Sequence, residues 1–436
     1  YIEGSFRYDG SDNFAPGHRW GFFPSVALGW DITEEPFFKS WNRGKIDLLK
    51  LRGSYGQMGT ESGVNKFGYL STYNMVENSI CIGGNLLSGF NEGELTSPEL
   101  LSWYTRNSLN YGIDVAFFNY RLKGSADYFY YVTKGGLVSP ADRYTTPLGT
   151  KLPQIKSKNE HRREGFELSM RWNDNIGSDF HYEVGTNMTY YNNLYVVKQE
   201  EALSTLMNPY KRSTHQTDYY DVILIDNGLY QSPEQVLGVP RRLSSSETKL
   251  GDIVYQDLNG DGKIDAEDQI RYGMPTAPHF TYGVDFAFSY KGFSLSGLFY
   301  GTGKRNMEFG YNTKKDESIH VKNEYQLDYW REDNRDAIFP RKSLSSSVNG
   351  GNNQEKSSFW VKNASFLRLK NLSLAYDFKY KLLKNANWLS MCKVNVTGAN
   401  LFTISGVSDY FDPETTSTNG GYPVQRVYSV GVTVGF

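Results

Sequence analysis

The sequence predicts an all-β chain folded as an antiparallel, up-and-down transmembrane β-barrel with long loops at one end. Three observations carry this expectation. Large apolar residues alternate with period two in segment after segment; the intervening positions are Gly, Ser, Thr and Asn with scattered charges; and long connections alternate with short ones. A soluble β-sandwich would also have one apolar face, but its solvated face should be rich in Lys and Glu.

Taken in order, the strands are expected at 1–8, 20–30, 48–57, 105–118, 123–133, 166–172, 180–192, 282–290, 293–300, 364–378, 391–401 and 428–436. The last is the clearest, with Tyr428, Val430, Val432, Val434 and Phe436 alternating with Ser429, Gly431, Thr433 and Gly435. Segment 364–378 changes phase between Leu369 and Leu372, which calls for a bulge near Lys370 and Asn371. Helical periodicity is scarce and is confined to a turn or two at 324–331 or 379–386. The short connections are 119–122, 173–179, 291–292, 379–390 and the less short 31–47. The long ones are 58–104, 134–162, 193–280, 301–363 and 402–425, with 9–19 an exception. If Phe436 ends at the periplasmic rim, counting back makes all five long loops extracellular. Tyr and Trp near strand ends, such as Tyr282, Tyr290 and Trp172, match the aromatic girdles of membrane interfaces.

Composition excludes several classes. With 46 Lys and Arg against 48 Asp and Glu, the net charge of -2 offers no field for nucleic acid. An aromatic content of 15% with 43 Gly favours strands over helices. No apolar run reaches the ~18 to 20 residues of a membrane helix. Cys81 and Cys392 stand far apart without a CxxC partner, so neither zinc nor a disulfide framework is indicated. Six histidines show no ligand spacing, and no nucleophile elbow or Walker spacing occurs, so no catalytic residues are assigned. The chain begins at Tyr1, inside a strand and without a leader, and is read as the C-terminal portion of something longer.

Several motifs recur in a familiar order. Phe6-Arg7-Tyr8-Asp9-Gly10, Arg19-Trp20-Gly21-Phe22-Phe23-Pro24, Leu49-Lys50-Leu51-Arg52-Gly53-Ser54-Tyr55-Gly56, Gly165-Phe166-Glu167-Leu168, Gly251-Asp252-Ile253, Phe366-Leu367-Arg368-Leu369-Lys370-Asn371-Leu372 and Asn400-Leu401-Phe402 resemble the barrel of SusC/RagA-type TonB-dependent outer-membrane transporters. The resemblance spans essentially the whole chain. It implies about the last 12 strands of a barrel of ~22, the size of plugged transporters, with the plug absent from this chain. It further implies import of a large nutrient, an oligosaccharide (glycan) or oligopeptide, across the bacterial outer membrane. The implied partners are the lipid bilayer, a SusD-like surface lipoprotein and a TonB complex reached through the missing N-terminal part. Two rival readings are a structural or adhesive barrel that transports nothing and a soluble carbohydrate-binding β-protein.

One chemical motif stands apart. Asp257, Asn259, Asp261, Asp265 and Asp268 place oxygen side chains at positions 1, 3, 5, 9 and 12 of a loop. Gly262 stands at position 6, and Lys263 offers its carbonyl at position 7. That is the donor pattern of a calcium loop, with Asp in place of Glu at position 12. Ca2+ is expected to act structurally, because the 193–280 loop shows few apolar runs to offset its ordering entropy. For the ligand, aromatic faces with amide and carboxylate partners point to Tyr219, Tyr220, Asp221, Tyr311, Trp360 and Tyr410 among the outer loops.

Overall fold

A computed structural model describes residues 1–42, 44–93, 96, 98–138, 153, 155–199, 202–242, 248–309, 327–342, 348–407, 411–415 and 424–436. Its strands are named in chain order: β1 Ile2–Gly10, β2 Trp20–Asp31, β3 Ile46–Thr60, β4 Tyr104–Phe117, β5 Leu122–Lys134, β6 Glu160–Ile176, β7 Phe180–Val197, β8 Phe280–Tyr290, β9 Phe293–Gly303, β10 Phe366–Asp377, β11 Met391–Ser405 and β12 Val427–Gly435. Each lies beside its neighbours in sequence along one sheet path from β1 to β12. Gln216–Thr217 adds a short strand against β7. The twelve expected strands are therefore all present, most of them lengthened, while the one expected at 364–378 is shorter at both ends.

The chain forms two compact units, Tyr1–Leu168 with Tyr191–Asp218, and Ser169–Tyr190 with Tyr219–Phe436. In the first, the connections 11–19, 61–103 and 135–159 leave one end of the sheet, and 32–45 and 118–121 leave the other. In the second, 304–365 and 406–426 leave one end and 177–179, 291–292 and 378–390 the other. Lys291-Gly292 closes the β8–β9 hairpin with both residues at positive φ, the backbone twist a two-residue turn requires.

Register explains the alternation. In β12, Val430 lies opposite Val396 and Val432 opposite Val394, and Tyr428, Val430 and Val432 are 71%, 73% and 65% exposed. Such a continuous exposed apolar stripe is what lipid would cover. At the short-turn end of the second unit the rings of Phe293 and Tyr376 lie 4.4 Å apart, Tyr376 and Phe378 5.0 Å, and Trp388 and Phe436 5.9 Å. These aromatics form a rim suited to an interface.

The bulge falls where the phase change placed it. Leu298 and Phe299 of β9 face Asn371 and Leu369 of β10, so Lys370 is the extra residue. It lets Leu367 and Leu369 share the apolar face with Leu372 and Leu374, while Arg368 and Asn371 share the polar one. The helical expectation fails. At 379–386 there is only the 3-10 turn Phe378–Tyr380, and in 324–331 Tyr329 and Arg331 form isolated bridges, while 324–326 lie outside the described residues. Helices occur at Pro36–Asn42, Leu203–Met207 and Pro233–Gly238, too short for periodicity to reveal.

Candidate functional site

The long connections of the second unit fold on one another. Asp226–Leu229 pairs with Ile253–Tyr255, Asp221–Ile223 with Ile270–Tyr272, and Asn306–Glu308 with Val361–Asn363. These hairpins bury Leu224, Leu229, Ile253, Tyr255, Ile264, Phe309, Trp330, Phe339 and Trp360 in a common core. The expectation that the loop has too few apolar runs to offset its ordering is thereby corrected. No apolar run in it exceeds four residues, as at 222–225, but its apolar residues find partners in the 304–365 connection, which no local window shows.

Asp252 fixes this layer. It is fully buried and accepts from the Lys249 amide at 2.9 Å and from Asn353 Nδ2 at 2.8 Å, with Arg341 Nε 2.7 Å from Oδ1. Gly251 beside it has φ 80°, and a Cβ there would stand 2.4 Å from the Trp330 ring. Only glycine fits both demands.

The sequence-derived ligand residues separate. Tyr219, Tyr220 and Asp221 cluster but are already engaged: Arg271 lies 5.4 Å over the Tyr219 ring, the Tyr220 hydroxyl donates to Glu308 at 3.0 Å, and Asp221 pairs with Lys356. Burial, reinforced by Glu308, pushes the Tyr220 hydroxyl above its ordinary range. Trp360 is 1% exposed, with Nε1 donating to the Asn353 carbonyl at 3.0 Å. It is a packing residue of the loop core, and its assignment to the ligand is corrected. Tyr311 and Tyr410 lie outside the described residues.

The 257–268 loop has the expected turn. Gly262 has φ 82° at the sixth position, and Ile264 at the eighth is buried in the loop core. The Asp257 carboxylate accepts from the amides of Gly260 at 2.7 Å and Gly262 at 2.8 Å, and Asp261 accepts from that of Lys263 at 2.9 Å. Asp268, fully buried, accepts from Leu258 and Asp265, each at 2.9 Å. The donor types fit a hard cation, and each carboxylate keeps lone pairs beyond those its amides use. As placed, however, no three His, Cys, Asp or Glu side chains among the described residues gather into a metal cluster.

Sequence reading missed the charges on the polar sheet face. Arg52 of β3 reaches Asp114 of β4 at 2.8 Å and Asp127 of β5 at 3.0 Å. Arg171 of β6 contacts Glu183 of β7 and lies 3.2 Å from Asp285 of β8. Arg368 of β10, 3% exposed, lies 2.7 Å from Asp412 and also pairs with Glu414, which Lys370 reaches at 2.7 Å. Cross-strand partners of this kind depend on register, although the position of each charge on the small-residue face was a signal.

Residues 2–401 match the family described as TonB dependent receptor-like, beta-barrel. The chain belongs to that family. It is 27% identical to the TonB-dependent receptor SusC of Bacteroides thetaiotaomicron, over 99% of this chain and 42% of that protein. It is 26% identical to the TonB-dependent receptor P39 of Formosa agariphila, over 100% of this chain and 44% of that one. The chain thus spans less than half the length of these relatives. Its fold matches the RagAB peptide importer in its open-open state with a TM-score of 0.74 at 22% identity, covering 100% of this chain and 45% of that one. The closed-closed state matches with a TM-score of 0.72 at 23% identity, covering 100% and 46%. This is a family of outer-membrane β-barrel receptors and transporters, not enzymes, so the exposed apolar stripe is its lipid face and the polar face its lumenal one. The soluble reading is set aside.

Proposed function

We propose that this chain is the barrel portion of a TonB-dependent importer of a large nutrient, an oligosaccharide or oligopeptide, working with a SusD-like surface lipoprotein. Family membership over residues 2–401 carries this reading, and the folded loop layer, which can present a ligand surface, supports it. Deleting the full-length gene should abolish growth on the cognate nutrient, and a neighbouring lipoprotein should co-purify with the receptor in detergent. An unimpaired deletion strain would favour the structural or adhesive barrel instead.

In this reading the long loops face outward. Leu237, 85% exposed on the Pro233–Gly238 helix, should react as Leu237→Cys with an impermeant thiol reagent on intact cells. Cys81 is itself exposed in the 61–103 connection, so the experiment needs a Cys81→Ser background. Labelling only after lysis would reverse the topology.

Ca2+ belongs to the same proposal, held by Asp257, Asn259, Asp261, Asp265, Asp268 and the Lys263 carbonyl. The ion would neutralise clustered carboxylates and stiffen the loop. Asp261→Ala should loosen this loop and weaken ligand or lipoprotein engagement, with the barrel still assembled. Metal analysis at millimolar calcium checks it. A metal-free protein, or a variant matching wild type in loop proteolysis and uptake, would refute the ion.

A further inference from the structure

Just beyond β9, at the loop end of the second unit, stands a cation without an ion-pair partner among the described residues. Arg305 is 5% exposed, and its Nε has no hydrogen-bond partner among the described residues. Nor does its guanidinium form an ion pair there: Ala364 bonds only to the backbone carbonyl of Arg305, at 3.1 Å. Three residues earlier Thr302, 3% exposed and on the lumenal face, has a hydroxyl that is likewise without a partner.

The surroundings do not supply the missing charge. Glu414 lies near enough to act on Arg305 electrostatically, but its carboxylate is shared between Arg368 and Lys370, and Asp412 is bound to Arg368. Lys370 also sits 5.2 Å over the ring of Tyr300, the other group acting on Arg305. Among these described groups, three cations share two carboxylates, an excess of one positive charge. A buried guanidinium without an anion is costly, and a buried hydroxyl without a partner adds to that cost. Such groups are retained where an external partner completes them.

We propose that Arg305, assisted by the Thr302 hydroxyl, is a subsite for a carboxylate group on the imported ligand. The planar fork of a guanidinium matches a carboxylate with two parallel hydrogen bonds, and a hydroxyl donor can add a third. The inference rests on the import reading and narrows it to acidic cargo, whether a uronate-bearing oligosaccharide or an acidic oligopeptide.

The test uses the complete receptor in detergent and two matched probe pairs: tetragalacturonate with its methyl ester, and tetra-aspartate with tetra-asparagine. Wild type should bind the carboxylate member of one pair about tenfold or more tightly than its neutral partner. The pair that shows the difference identifies the source. Arg305→Gln should erase the preference, Arg305→Lys should keep part of it, and Thr302→Val should reduce it, with heat-modifiability on gels confirming that each barrel is assembled. A preference that survives in Arg305→Gln, or is missing from wild type for both pairs, overturns the subsite. Energy-dependent uptake of nutrient by cells is scored separately: uptake by cells whose wild-type receptor shows no carboxylate preference in either pair would leave the importer standing and remove only the subsite.

Discussion

Asp252→Ala should cost the loop layer about 3 to 5 kcal/mol, the usual penalty for removing one member of a buried ion pair. The substitution leaves Arg341, only 16% exposed in its side chain, without its carboxylate, and strips the Lys249 amide and Asn353 of their acceptor. Because these partners lie on both sides of the core, 226–230 with 249–255 and 338–342 with 352–361 should lose amide protection together. Hydrogen exchange and limited proteolysis would read this, while heat-modifiability should show the barrel unchanged. The double change Asp252→Leu with Arg341→Met should recover much of the loss, since the uncompensated charge leaves with its partner. Unaltered protection in Asp252→Ala would remove Asp252 as the tie between the two connections.

Val432→Arg comes next, at about 2 to 4 kcal/mol or failure to assemble if the site lies near the bilayer midplane. Val432 is 65% exposed and faces Val394 across the β11–β12 pair, so the charge would enter lipid with no polar neighbour on that face. Thr433→Arg, one residue on, should be better tolerated because it faces the lumen, though it stands directly opposite Lys393. Ser429→Arg is the cleaner control, since its opposite residue is Thr397. Loss of heat-modifiability to the same degree in Val432→Arg and Ser429→Arg would overturn the face assignment.

The strands were legible because each carries its own period, and even the Lys370 bulge could be read from the shift between Leu369 and Leu372. The loop layer was not. Trp360 looks like any exposed loop aromatic until Phe309, Phe339 and Asn353 are brought around it from other segments. The short helices were hidden for a different reason, since Pro233–Gly238 is specified by the Ser232 cap and a leading proline, not by an apolar period. Of the acidic loop, the turn and its glycine were visible in sequence, whereas the amides that occupy Asp257 and Asp268 were not. Arg305 gave no signal at all, because an unmatched charge is defined by what fails to surround it.

The bulge gives β10 one residue more than β9 at the same point of the sheet. Across that point β9 advances one residue, from Leu298 to Phe299, while β10 takes two, from Asn371 to Leu369, and β11 three, from Ala399 to Phe402. The pleat therefore has a reading frame, and Lys370 is the inserted character that resets it. Pairing Lys370 in the ladder without a bulge would act as a frameshift: Leu367 and Leu369 would turn inward, and Arg368 would be carried away from Asp412 and Glu414 onto the hydrocarbon side. Deleting Lys370 would instead leave Leu369 and Leu367 on the apolar face and Arg368 on the polar one, and would lose the bulge together with one ion pair.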